Sequence, residues 1–275
     1  MRPHIDFIQA QNLPWQSAER FGFSGAQVKI LSEDDSSGAV SCVLSLPGGA
    51  VRAAGALPFD EEIYILDGIV SFGAESYGEH AYGFLPNGFS DNDLSSEGPA
   101  HLLYFRCDRR DAPETDAEKT ASRLVRKTDL TKGAWDGNFD KFGLGSMATT
   151  ARTRVLREDP DTQETTYLTA TIAFRQGERA ERHPITQEFF LLSGELCGEF
   201  GAMQGGAYCF RPPMHKHAPY GSVTGAVIFF RGLGGKQETL WEDPEFKLSL
   251  LPKHNPILPD ELKQYGAPAP RPVRY

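Results

Sequence analysis

The chain has 275 residues, 40% of them hydrophobic and 24% charged, and carries a formal net charge of −9 at pH 7. That composition suits a globular protein with one large core or two smaller ones, and the acidic balance excludes a nucleic-acid surface, which needs clustered Lys and Arg to displace counterions. No apolar run approaches the ~20 residues of a bilayer crossing, and the first residues lack the apolar stretch of a secretion signal, so the expectation is a cytoplasmic protein with no membrane or nucleic-acid partner.

In chain order, the first apolar segments are VSCVLSL (40–46), IYILDGIVSFG (63–73) and HLLYFR (101–106). They are short, rich in Val, Ile, Phe and Tyr, and cut by Gly and Asp, which is the pattern of antiparallel strands. A polar, charge-mixed stretch follows at 108–133 and reads as a solvated connector with one short strand or helix near Ser122 to Lys127. Strand-like segments resume with TYLTATIAF (166–174), FFLLSGELCGEF (189–200) and GAVIFF (225–230). In the middle one, Glu188, Phe190 and Leu192 fall on one face while Phe189 and Leu191 fall on the other. Both faces are apolar, so both are expected to be covered, with Phe189 and Leu191 turned toward a sister unit or another chain. The tail beyond Gly235 is proline-rich, and PDELKQYG within it resembles a short helix with Asp260 as N-cap. Four cysteines, Cys42, Cys107, Cys197 and Cys209, have no C-x-x-C spacing and read as reduced, packed thiols.

The chain repeats itself. VKILSEDDSSG at 28–38 is echoed by TRVLREDPDTQ at 153–163, EEIYILDG at 61–68 by QEFFLLSG at 187–194, GFLPNGFSD at 83–91 by CFRPPMHKH at 209–217, and LLYFR at 102–106 by VIFFR at 227–231. The offset is 125 or 126 residues each time. The expected organisation is therefore all-β, with two tandem barrel-like units: residues 1–107, a connector at 108–133, residues 134–234, and a C-terminal arm at 235–275.

Chemistry concentrates in the second copy. Glu181 and His183 are two apart on an extended segment and project to one side, Glu188 begins the next strand, and His217 follows the proline-stiffened RPPMHK. Two imidazoles with one or two carboxylates suit a mononuclear centre for one divalent ion, Fe, Mn, Zn or Ni, with positions left for water or substrate. Glu181 is read as a fourth ligand or a general base, and Glu181 and Glu188 are the candidate catalytic acids. His215 is placed at the rim or behind the ligands, and Arg211 and Tyr220 as groups able to hold an anionic substrate. In the first copy the matching positions are Gly55, Leu57, Glu62 and Asp91, so that copy is expected to be a structural partner.

These residues resemble the cupin superfamily. The first cupin motif, H-x-H, three or four residues, E, then G, appears as Glu181-x-His183, Glu188 and Gly194, and the second as Pro212-x-Met214-x-x-His217. Glu181 stands where the first histidine belongs, and Met214 where a turn glycine belongs. The whole chain looks like bicupins of the ChrR-like and DUF4437 type, which implies two jelly-roll β-barrel units. The resemblance further implies a metal-dependent enzyme on a small-molecule substrate, foremost an oxygenase acting on a dicarbonyl or phenolic compound. A non-redox lyase, isomerase or hydrolase, or a ChrR-type metal- or ligand-sensing bicupin, stands beside it; a homodimer is compatible with either.

Overall fold

The computed structural model describes residues 2–107, 112–133, 135 and 150–269. Its contacts divide the chain into two compact units, one built from Leu13–Gly133 with Arg2, the other from Pro3–Asn12 and the chain beyond Gly133. Among the described residues both are made of strands with a single short α-helix, and no helix is long and apolar enough to cross a membrane.

The first strand, β1 (Ile5–Gln9), belongs to the second unit. The first unit contains β2 (Gln27–Asp34), β3 (Ala39–Leu46), β4 (Glu61–Asp67), β5 (Ala81–Leu85), β6 (Ala100–Arg106), α1 (Ala117–Arg123) and β7 (Val125–Asp129). Its larger sheet runs β7-β5-β4-β6-β3-β2, and a smaller sheet pairs Ala50–Arg52, Leu94–Ser96, Val70–Phe72 and Glu75–Tyr77. Val28, Cys42, Leu44, Ile63, Ile65, Leu102 and Tyr104 fill the core, all at or near zero exposure. The stretch expected to be a solvated connector begins with residues 108–111, which lie outside the described residues; from 112 to 133 it is instead part of this unit. Asp116 caps α1 by accepting from the Glu118 and Lys119 amides at 2.9 and 3.1 Å, and β7 pairs with β5. Arg123 pulls that segment inward through a bidentate pair with Asp60 at 3.1 and 2.8 Å.

The second unit contains β8 (Ala151–Glu158), β9 (Thr165–Thr171), β10 (Ala180–Arg182), β11 (Thr186–Gly198), β12 (Ala207–Arg211), β13 (Ala226–Leu233) and β14 (Leu240–Glu242). Its main sheet runs β1-β12-β11-β13-β9-β8, the same order as in the first unit with β1 standing where β7 stands there. The N-terminal strand thus departs from the boundary at residue 107. Phe7 carries it into a core with Phe189, Leu191, Leu196 and Met203, where burial of apolar area outweighs proximity in sequence. β11 bends at Gly194 (φ +81°), where a Cβ would collide with the Gly225 carbonyl, and its far half pairs with Gly201–Gln204. The tail's short helix is a 3₁₀ turn, Asp260–Tyr265, with Pro259 at its N-cap and no side-chain cap, so Asp260 does not cap it.

Candidate metal centre

Backbone pairing brings the candidate residues together. β10 carries Glu181 and is held on one side by β14, with Glu181 opposite Trp241. On its other side, Glu181 and His217 exchange amide-to-carbonyl bonds of 2.9 Å in each direction. The Met214 amide donates to the His183 carbonyl at 2.7 Å, so the turn between Pro212 and His217 is sewn onto the segment bearing Glu181 and His183. Met214 itself takes φ +64°, the left-handed conformation that a glycine would take at no steric cost.

Glu181, His183 and His217 each offer one ligand atom, and these atoms lie within 4.8 Å of one another. Both rings are fixed from behind. His183 Nδ1 lies 2.8 Å from the Glu238 carbonyl and His217 Nδ1 3.0 Å from the His215 carbonyl. A carbonyl can only accept, so Nδ1 carries a proton in each ring, and it is the Nε2 lone pair of the neutral tautomer that faces the site. Glu181 Oε2, His183 Nε2 and His217 Nε2 are buried without a hydrogen-bond partner; His217 Nε2 lies 3.4 Å from the other carboxylate oxygen, Glu181 Oε1, out of hydrogen-bond alignment. Three buried, converging, unsatisfied donor atoms are costly as they stand and become satisfied by a cation.

The electrostatics agree. Burial alone would raise the Glu181 carboxyl, but His217, His183 and Arg211 outweigh it and hold it below the usual range. Burial, helped by the Arg211 charge, pushes His217 down to about 4. Near neutral pH the set is one carboxylate and neutral imidazole at His217, the protonation that metal ligation requires.

The three residues open onto a cavity of about 310 Å³ within the second unit. Phe189, Ile228, Phe230 and Trp241 form apolar wall, and Gln187, Arg211, Tyr220 and Gln237 supply polar groups. Arg211 donates to Gln187 Oε1 at 3.3 Å and to the Tyr220 hydroxyl. Gln237 donates to the Tyr167 hydroxyl at 2.8 Å.

Glu188 does not join the site. Its carboxylate, 1% exposed, accepts from Arg231 and from the Tyr208 hydroxyl. Glu62 in the first unit accepts from Tyr82 at 2.6 Å in the matching position. That shared pairing explains why this acid occurs in both copies although the histidines do not, and it removes Glu188 from the candidate ligands and catalytic acids. The facing of β11 is the reverse of the sequence expectation: Gln187 and Phe189 line the cavity, and Phe189 and Leu191 pack in the unit's own core. In the first unit Asp60, Glu61 and Glu62 are buried and hydrogen-bonded. His215 contributes its carbonyl behind His217, while its ring lies against His4 with centroids 3.9 Å apart. His4 is thus part of the site's surroundings; burial and the neighbouring His215 and Arg211 push it down to about 4. Arg211 and Tyr220 do line the cavity. Gln187 was missed, although it lies four residues after His183, the other spacing the cupin motif allows.

Residues 139–235 match the ChrR cupin-like domain family. No curated protein matches the chain. Among solved structures, the chain is similar to a protein from Nostoc punctiforme provisionally described as a dioxygenase, with 17% identity, TM-score 0.75, and 89% of this chain and 92% of that one covered. It is also similar to Ylba from E. coli, of family DUF861, at 14% identity and TM-score 0.59, covering 87% and 92%. A third is the Bacillus subtilis oxalate decarboxylase studied for its Mn(II) centres, at 10% identity and TM-score 0.56, covering 86% and 78%. At these identities the likeness establishes the fold.

Proposed function

The chain has the cupin fold, with a ChrR cupin-like domain over residues 139–235, and from that premise we propose that it is a bicupin enzyme. Its second unit holds one divalent metal ion through Glu181, His183 and His217, and its first unit is a structural partner. The observation that carries this is the trio of buried, unsatisfied donor atoms facing a cavity with apolar walls. The preferred reaction is oxygenase-type, on a dicarbonyl or phenolic small molecule; the likeness to a protein described as a dioxygenase supports it. The non-redox reading, a lyase, isomerase or hydrolase, is supported by the likeness to oxalate decarboxylase.

A bound divalent ion would supply Lewis-acid polarisation of substrate oxygens and, if iron, a redox partner for oxygen. The chain's own residues do the rest. Phe189, Phe230 and Trp241 bind the apolar body of the substrate and keep water from it. Burial pushes the Tyr220 phenol well up, so it stays protonated; its oxygen accepts from Arg211, which leaves its proton to donate to a substrate oxygen gaining negative charge. Glu181 Oε2, with no protein donor, is placed to ligate or to take a proton at that atom.

The test is to load metal-free protein with Fe(II), Mn(II) or Zn(II) and follow oxygen uptake and substrate loss with a panel of diketones and catechols. Oxygen uptake that requires Fe(II) and disappears in His217→Ala supports the oxygenase. Turnover without oxygen uptake supports the non-redox reading, and no turnover with any loaded metal overturns both enzymatic readings in favour of sensing.

A further inference from the structure

Among the described residues, Arg52, Arg123, Arg157 and Arg231 have side chains almost wholly buried and face carboxylates of the chain, while Arg2, 8% exposed, donates to Ser41 Oγ at 2.8 Å. Arg52 meets Glu61 at 2.6 Å, Arg123 meets Asp60 at 2.8 Å, and Arg157 lies 3.1 Å from Glu164 and 3.7 Å from Asp159. Arg231 meets Glu188. Arg211 is 2% exposed and forms no ion pair with a carboxylate among the described residues. Its guanidinium lies on Phe189 and Tyr220, at 4.9 and 5.5 Å from the ring centroids, and gives hydrogen bonds to two neutral groups, Gln187 Oε1 and the Tyr220 hydroxyl. Its Nε is buried with no acceptor. The fields of Asp6 and Glu181 reach it, but neither carboxylate is in contact. A buried guanidinium without a contacting carboxylate costs several kcal/mol, and Arg52, Arg123, Arg157 and Arg231 each avoid that through an ion pair. This one stands in the wall of the cavity.

We propose that Arg211 is the anion receptor of the cavity and that the organic ligand is a carboxylate on an apolar, aryl or branched-alkyl body. This rests on the reading of the cavity as the reaction chamber and adds the charge class of its substrate. The carboxylate takes the free N–H groups of Arg211, for which the planar fork is matched. The apolar body lies along Phe189, Ile228 and Phe230. Held by Arg211 at one end, such a ligand presents its other end to the cavity that Glu181, His183 and His217 share.

The experiment titrates benzoate, its neutral isostere benzamide, and acetate into metal-free protein, read by calorimetry at pH 7.5. Benzoate should bind at least tenfold more tightly than benzamide, through its charge, and more tightly than acetate, through its ring. In Arg211→Gln the benzoate-to-benzamide preference should fall below about twofold. Equal binding of benzoate and benzamide by wild type, no saturable binding of benzoate, or a preference that survives in Arg211→Gln would overturn the proposal. The wild-type comparison decides the matter even if the variant does not fold. A protein that takes up no metal yet prefers benzoate in this way would overturn the metal-enzyme reading and leave the receptor standing.

Discussion

Replacing Glu188 separates the buried ion pair from the metal centre. Glu188 and Arg231 are each 1% exposed, and the carboxylate also accepts from Tyr208. Glu188→Gln keeps the shape and an acceptor for Tyr208 but takes the negative charge from a buried guanidinium. Breaking one side of such a pair costs about 3–5 kcal/mol. For a chain of this size each kcal/mol lowers the melting temperature by roughly 2–4 °C, so the variant should melt about 6–20 °C below wild type. Its folded form should still bind metal as wild type does, since Glu181, His183 and His217 are untouched. Glu188→Gln/Arg231→Met, which removes both charges, should recover much of the loss. Calorimetric melting of the metal-free proteins, with metal titration well below the transition, checks both halves. A variant with unchanged melting and lost metal would refute the reasoning and return Glu188 to the ligand set.

Glu181→Gln should weaken divalent-metal affinity at least tenfold, about 1.4 kcal/mol, in competition with a chelator, and Glu181→His should bind at least as well as wild type; identical affinities would place Glu181 outside the centre. The metal-free protein should lose stability as the pH falls from about 6.5 to about 4. The unfolded chain then protonates His217 before the folded chain does, folded His217 being held down to about 4. Urea midpoints at pH 7.5 and 5 should therefore drop further for wild type than for His217→Gln, and equal drops would contradict the assignment. Phe7→Ala should destabilise the second unit by about 3–5 kcal/mol, because Phe7 is 2% exposed in a core whose other members lie beyond residue 188. Urea unfolding followed through Trp241 checks this, and an unchanged midpoint would show that β1 is not an integral strand.

Much of this was legible in the chain itself, for physical reasons. Strand runs such as EEIYILDG and QEFFLLSG announce themselves because both faces are buried. His183 and His217 stand out because they fall, with Glu181, at the spacing of the two motifs that resemble a metal-binding set. Glu188 misled because two acceptable motif spacings differ by one residue, and one residue reverses the facing of a strand. Gln187 points into the cavity and Glu188 away from it, toward Arg231. The N-terminal strand was illegible because its partner, β12, is some two hundred residues away, and only long-range burial selects it. Asp60 and Arg123, 63 residues apart, hid the connector's place in the same way. Arg211 could be noted from its motif, but only the structure reveals that Arg52, Arg123, Arg157 and Arg231 contact carboxylates while Arg211 does not.

The central claim is a single metal centre made by Glu181, His183 and His217 in the second unit. Elemental analysis of tag-free protein, after saturation with one divalent metal and removal of the excess, tests it most directly. The account predicts one metal ion per wild-type chain and essentially none in a folded His217→Ala variant; two ions per chain, or full occupancy in His217→Ala, would contradict it.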